Sequence, residues 1–215
     1  KYSHSPYGIV GIAVGIYGVV NNNRILFTPY YPLPQPDLGQ ILEDIFHLPV
    51  IVENESNFSV LGESAFHFGY KNMIHINVHD GIGMGILIGE HLYKGHDGYA
   101  GEFGHTILFP DASEKAILEE YAARTGQIQV TIDQFLADYQ QKLPAALEMM
   151  DLFVKYMSIG INNIINTFNT DLIVINSAFS NYIPDINPRI LEYLSKHQNR
   201  NCKIISSKLQ DISGL

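Results

Sequence analysis

Residues Asp80–His105 read DGIGMGILIGEHLYKGHDGYAGEFGH, a stretch with eight glycines that closes on Ala100-Gly101-Glu102-Phe103-Gly104-His105. Glycine at this density lets the backbone turn tightly and come close to a ligand. The closing Glu102 and His105 set an acceptor and a donor/acceptor beside that loop, a combination suited to a hydroxyl-rich ligand such as a sugar.

Outward from this stretch, strands alternate with helices, the pattern of an α/β fold. On the N-terminal side, residues 8–20 (GIVGIAVGIYGVV) read as a buried strand and a turn near Tyr17-Gly18. The run 28–36, with four prolines, is a loop. Leu38, Ile41, Leu42, Ile45 and Phe46 recur at helical spacing behind Asp37, an expected N-cap. Pro49–Val52 is a short buried strand, and a helix is expected over residues 56–68. Ile74, Ile76 and Val78 alternate with His75, Asn77 and His79, which predicts a half-exposed strand. The His75 and His79 pair reads as a solvated or hydrogen-bonded face rather than a metal site. Met84–Ile88 and Leu92-Tyr93 form a hairpin around Gly89.

On the C-terminal side, residues 114–124 are helical, and Thr131-Ile132-Asp133-Gln134 has the form of a capping box. Pro144 opens a long helix whose stripe runs Leu147, Met150, Val154, Met157, Ile161, Ile164, Ile165 and Phe168, a packing surface. Leu172–Ile175 is a buried strand, Asn187-Pro188 caps a helix over 188–198, and Cys202–Ile205 is a last strand.

Composition narrows the function. The chain has 215 residues, 13 Lys plus Arg against 22 Asp plus Glu, and a net charge of −9. Without a cluster of Lys and Arg it is a poor nucleic-acid binder by itself. One cysteine, Cys202, excludes an intrachain disulfide and a Cys-based zinc cluster, and fits a reducing cytoplasm. No apolar run approaches membrane-spanning length. The chain starts at Lys1 without Met and nears a strand by Ile9, which reads as a fragment lacking its N-terminal part.

The glycine frame and the AGE-x-GH ending resemble the signature of the ROK family (repressors, open reading frames, sugar kinases), roughly G-T-G-I-G-x-G, a strand, then G-x-x-G-x-A-G-E-x-G-H. Here His79-Asp80 stand where family kinases have Gly-Thr. The resemblance implies an actin-like, sugar-kinase-type (ribonuclease H-like) fold of two α/β lobes. Residues 1–70 would be the remainder of an incomplete N-terminal lobe and 71–215 the C-terminal lobe, with the ligand between them. Pro49-Val50-Ile51-Val52-Glu53-Asn54-Glu55-Ser56-Asn57 resembles the family's P-V-x-V-x-N-D-A-N, which makes Asn54 and Glu55 sugar contacts, with Glu55 at the position of the kinase base. By residue type alone these are an N-cap and a surface carboxylate. Glu102 and His105, otherwise an ordinary loop pair, match the family's sugar-binding Glu and His. Leu118-Glu119-Glu120-Tyr121-Ala122 resembles L-E-x-Y-A, making Glu119 (or Glu120) a further sugar-contacting carboxylate, and Gly18 is expected near the sugar. The family His also ligates a structural zinc through a cysteine motif. That motif is missing here, so no metal is expected.

The nucleotide half of the site departs from the family. Asp80 would set a carboxylate against phosphate, and Asn176-Ser177-Ala178-Phe179 replace a glycine run. Glu55 is one methylene longer than the Asp it replaces. An N-terminal D-x-G-G-T-like turn is absent. Family members that bind sugar without phosphorylating it are regulators of the xylose- or N-acetylglucosamine-repressor type. The expectation is therefore a cytoplasmic, homodimeric sugar sensor with no cofactor and no catalytic residue. It would contact DNA only through a winged helix-turn-helix upstream of this chain. The alternatives are an ATP-dependent sugar kinase, a sugar-binding relic without DNA-binding heads, and a site closed by Tyr17 and Glu55.

Overall fold

The computed structural model describes residues 7–29, 32–33, 37–105, 112–196 and 202–209. The expected helix over 188–198 and the loop 28–36 therefore lie partly outside the described residues, and the run from 106 to 111 wholly so.

Five strands form the main sheet. β1 (Ile12–Ile16), β2 (Val19–Asn21), β3 (Arg24–Phe27) and β4 (Val50–Asn54) precede them. The sheet itself contains β5 (Met73–Val78), β6 (Ile82–Ile88), β7 (His91–Leu92), β8 (Leu172–Asn176) and β9 (Lys203–Ser206), in the order β7-β6-β5-β8-β9. β8 runs parallel to both β5 and β9, and β6 turns back antiparallel to β5. The β6–β7 hairpin turns at Gly89-Glu90, with φ of +59° and +69°.

Seven helices complete the described residues: α1 (Leu38–Phe46), α2 (Glu55–Ser64), α3 (Glu114–Thr125), α4 (Ile132–Gln140), α5 (Pro144–Phe168), α6 (Ala178–Tyr182) and α7 (Ile186–Ser195). Alternate residues of the central strands serve opposite faces. Ile74, Ile76, Val78, Ile173 and Ile175 pack with Phe153, Met157, Ile161 and Ile190 in the main core. Phe153 and Phe179 meet there edge to face, ring centroids 5.0 Å apart. On the other face, Met73, Leu87, Leu172 and Val174 pack with Val60 of α2. The sheet is thus sandwiched between α2 and the α3–α5–α7 layer.

Sandwiching corrects one expectation. β5 is buried along its whole length, because β6 and β8 flank it and helices cover both faces. Asn77 and His75 face α2, not solvent. Neither ring nitrogen of His75 has a hydrogen-bond partner, and burial pushes its imidazole down to about 4. The period-2 pattern was right about faces and wrong about exposure.

Gly85 shows what part of the glycine-rich stretch is for. A Cβ there would lie 2.1 Å from the Ser56 carbonyl oxygen. The glycine lets α2 lie against β6, so the close approach is by backbone and not by a ligand.

The smaller elements hold other differences. β1 pairs in parallel with β4 alone, and its Ala13 and Gly15 are exposed, so it is not the buried strand expected. The β2–β3 hairpin, missed in the sequence, turns at Asn22-Asn23 with φ of +49° and +67°, a conformation Asn tolerates. Asn23 then pins the hairpin to β4, accepting from Val52 N at 2.5 Å and donating to Val50 O at 3.0 Å. Asp37 makes no cap bond; it pairs with Arg24 at 2.7 Å. α2 ends at Ser64, four residues short. Asn187 lies inside α7, behind Asp185, and donates to Ser206 Oγ at 2.9 Å. Leu147 of the α5 stripe is 36% exposed, while Met150, Val154, Met157, Ile161, Ile164 and Ile165 are buried. The Thr131–Gln134 capping box is present. Among the described residues no helix is long and apolar enough to cross a membrane.

Candidate functional site

Three strands, each in a parallel pair, carry asparagine at their C-terminal ends: Asn54 at the close of β4, Asn77 near the end of β5 and Asn176 at the close of β8. Strand C-termini are where open α/β sheets bind ligands. A cleft of about 980 Å³ opens there.

Asn54 is fully engaged. Its Oδ1 accepts from Ser56 N at 2.8 Å and Asn57 N at 3.2 Å, capping α2. Its Nδ2 donates to Gly18 O and to Glu55 Oε2, each at 2.9 Å. Gly18 is held at φ +148°, where a Cβ would lie 2.1 Å from Phe27 O, so the β1–β2 turn requires glycine. Glu55 Oε1 also accepts from Ser56 Oγ at 2.7 Å. Burial, opposed by these hydrogen bonds, raises the Glu55 carboxyl above its ordinary value.

Glu102 reaches the cleft from the loop after β7. Gly101 crosses β6 so closely that a Cβ would lie 2.0 Å from Met84 O. The buried Phe103 anchors the short turn Phe103–His105 behind it. His105 Nε2 lies 3.7 Å from Glu102 Oε2, at the solvent edge of the cleft, its side chain 84% exposed.

Gly18, Asn54, Glu55, Glu102 and His105 therefore line one cleft. Glu119 does not line it, and neither does Glu120; both are exposed on α3. Ser113 caps α3, so Glu114 begins the helix at the cleft. Glu119 follows five residues later, about 140° further round at 3.6 residues per turn.

Glu114 was missed in the sequence, as were His79 and Asn77 as cleft residues. His79 Nδ1 lies 3.8 Å from Glu114 Oε2, and that carboxylate raises the imidazole's pKa against the effect of burial. Glu114 Oε1 accepts from Ala178 N at 2.5 Å. A chain of side chains links the two sets: Ser56 Oγ accepts from Asn77 Nδ2 at 3.3 Å, and Asn77 Oδ1 accepts from Asn176 Nδ2 at 3.1 Å. The recurring Asn at strand ends was the signal that could have found Asn77.

The zinc that the family resemblance brings to mind does not fit this chain. His105 has Glu102 as its close acidic neighbour, and Cys202, the sole cysteine, packs against the main core instead. Among the described residues no group of three or more His, Cys, Asp or Glu is arranged to hold a metal.

The ROK family model matches residues 1–215. The chain belongs to the ROK family. A xylose repressor of Bacillus spizizenii is 33% identical over 196 residues, which span 83% of this chain and 50% of the repressor. The chain thus spans about half the length of that relative. Among solved structures, a ROK-family transcriptional regulator homologous to the E. coli MLC protein superposes with a TM-score of 0.83 at 23% identity, over 94% of this chain and 59% of its own. A ROK-family glucokinase of Streptomyces griseus, in complex with glucose and AMPPNP, gives a TM-score of 0.83 at 20% identity, over 96% and 79%. The ROK chain therefore has the actin-like, sugar-kinase-type fold shared by repressors and kinases.

Proposed function

We propose that this chain is the sugar-sensing part of a ROK-type transcriptional regulator, a repressor of carbohydrate-utilisation genes, and that it binds a sugar in the cleft without phosphorylating it. One observation carries this reading. Among the described residues the cleft is lined by the carboxylates Glu55, Asp80, Glu102 and Glu114, by Asn54, Asn77, His79 and His105, and by no Lys or Arg. Such groups suit hydroxyls, whereas a triphosphate needs cations or free backbone N–H groups. The amides after β8 are already engaged, Ala178 N by Glu114 and Phe179 N by Ser177 Oγ. The same charge pattern makes the effector an unphosphorylated sugar.

The likeness to a xylose repressor supports the regulator reading. On that reading the protein works in the cytoplasm as a homodimer. Residues 1–70 and 71–215 move as lobes about the ligand, and a winged helix-turn-helix in another part of the protein contacts DNA. Titration of the intact protein with neutral monosaccharides, read as a melting shift, tests it. A saturable shift is expected, and no response to any pentose, hexose or amino sugar would sink it.

The second reading is an ATP-dependent sugar kinase of the glucokinase type. It is favoured by Glu55, whose carboxyl lines the cleft at the end of β4, where it would serve as the base. Nucleotide turnover separates the two.

A further inference from the structure

We propose that the cleft contains a second saccharide subsite, built on His79 and Glu114, which receives the second unit of a neutral disaccharide. It rests on the sugar-sensing reading above and extends it.

The cleft of about 980 Å³ lies near the top of the range, roughly 300–1,000 Å³, that encloses drug-sized ligands. One pyranose leaves most of it open.

The polar lining falls into two sets. Around Glu55 stand Asn54, Gly18 and Glu102. Around His79 stand Glu114, Asp80 and Asn176. Ser56, Asn77 and Asn176 run between Glu55 and His79 as a hydrogen-bonded chain, so the sets are adjacent but distinct.

The gap of 3.8 Å between His79 Nδ1 and Glu114 Oε2 exceeds a direct hydrogen bond, which leaves donor and acceptor available to a hydroxyl between them. Glu114 is held in place from behind by Ala178 N, and Asn176 Nδ2 lies 3.5 Å from His79 Nε2. A rigid pair of this kind orients a hydroxyl at little entropic cost.

Charge selects the occupant. With carboxylates at Asp80 and Glu114 and no Lys or Arg among the described lining residues, a phosphate or uronate is disfavoured, and a neutral glycosyl unit is not.

The test is a calorimetric titration of the intact protein with D-xylose against xylobiose and D-glucose against cellobiose, repeated with Glu114→Gln and His79→Gln. Glu119→Ala is the control. At least one disaccharide should bind about tenfold or more tighter than its monosaccharide. Glu114→Gln, which keeps a carbonyl acceptor for Ala178 N, should remove that advantage by weakening the disaccharide more than the monosaccharide, and His79→Gln should do the same. Equal affinity for every disaccharide and its monosaccharide overturns the second subsite while leaving the sugar-sensing reading standing. So does an equal loss for both ligands in the variants. Failure of all four sugars overturns the second subsite, and failure of the other pentoses, hexoses and amino sugars as well overturns the sugar-sensing reading.

Discussion

Glu102 and His105 come from one short loop and present their polar ends at the edge of the cleft. A hydroxyl-rich ligand bonded there leaves an unpaired group behind if either partner is removed. A lost hydrogen bond to the Glu102 carboxylate should cost about 1.5–3 kcal/mol, roughly 10- to 150-fold in affinity, and one to His105 about 0.5–1.5 kcal/mol. Glu102→Ala and His105→Ala should therefore each abolish a weak sugar-induced melting shift while leaving the unliganded melting temperature unchanged. Glu119→Ala, which alters an exposed α3 residue, should bind normally. Variants that bind as tightly as wild type would remove these two residues from the site.

His75 carries a different prediction, because it is a buried polar side chain with no partner for either nitrogen. Burial lowers its pKa from 6.5 to about 4, so between those values the unfolded chain binds a proton that the folded chain refuses. Stability must then fall as pH drops from about 6.5 through about 4, at up to about 1.4 kcal/mol per unit. His75→Phe should flatten that limb in chemical unfolding measured from pH 7 to pH 4. An unchanged pH dependence would mean the ring is hydrated or paired in solution.

At the scale of elements, Gly85 decides how α2 sits on the sheet. Gly85→Ala would force a Cβ into the Ser56 carbonyl, 2.1 Å away, where backbone cannot yield as a side chain tip can. Overpacking of this kind costs about 1–3 kcal/mol, and because α2 begins at Glu55 the shift should also weaken sugar binding. Gly89→Ala, in a turn with nothing within 4 Å, should leave sugar binding intact despite its positive φ. A Gly85→Ala protein with wild-type melting and binding would contradict this packing.

Helices with strong local signals were legible in the sequence. The Thr131–Gln134 box and Pro144 set the starts of α4 and α5 by chemistry confined to one turn. The burial of β5 was not, because it depends on what α2 and α5 bring from elsewhere. The β2–β3 hairpin was hidden because Asn22-Asn23 lacks the glycine that usually marks such a turn. Asn54, Glu55, Glu102 and His105, each singled out as part of a local motif, line one cleft. Glu114 was not singled out, since only the tertiary fold brings the start of α3 beside β5.

At the scale of the whole molecule, a family fold shared with kinases has a cleft whose described lining carries acid, amide and imidazole side chains and no Lys or Arg. Metal content tests one consequence. Protein purified without added zinc should hold well under one zinc per chain by elemental analysis, and one tightly held zinc at His105 would contradict the absence of a thiolate site. The central claim, that sugar is bound and not phosphorylated, is read most directly by titrating a neutral sugar into the intact protein in the presence of Mg-ATP in a calorimeter. The account predicts discrete heats that saturate at one sugar per chain, with the baseline restored after each injection. Sustained thermal power equivalent to turnover near about 1 per second, the low end of working enzymes, would contradict it, as would the absence of any heat of binding.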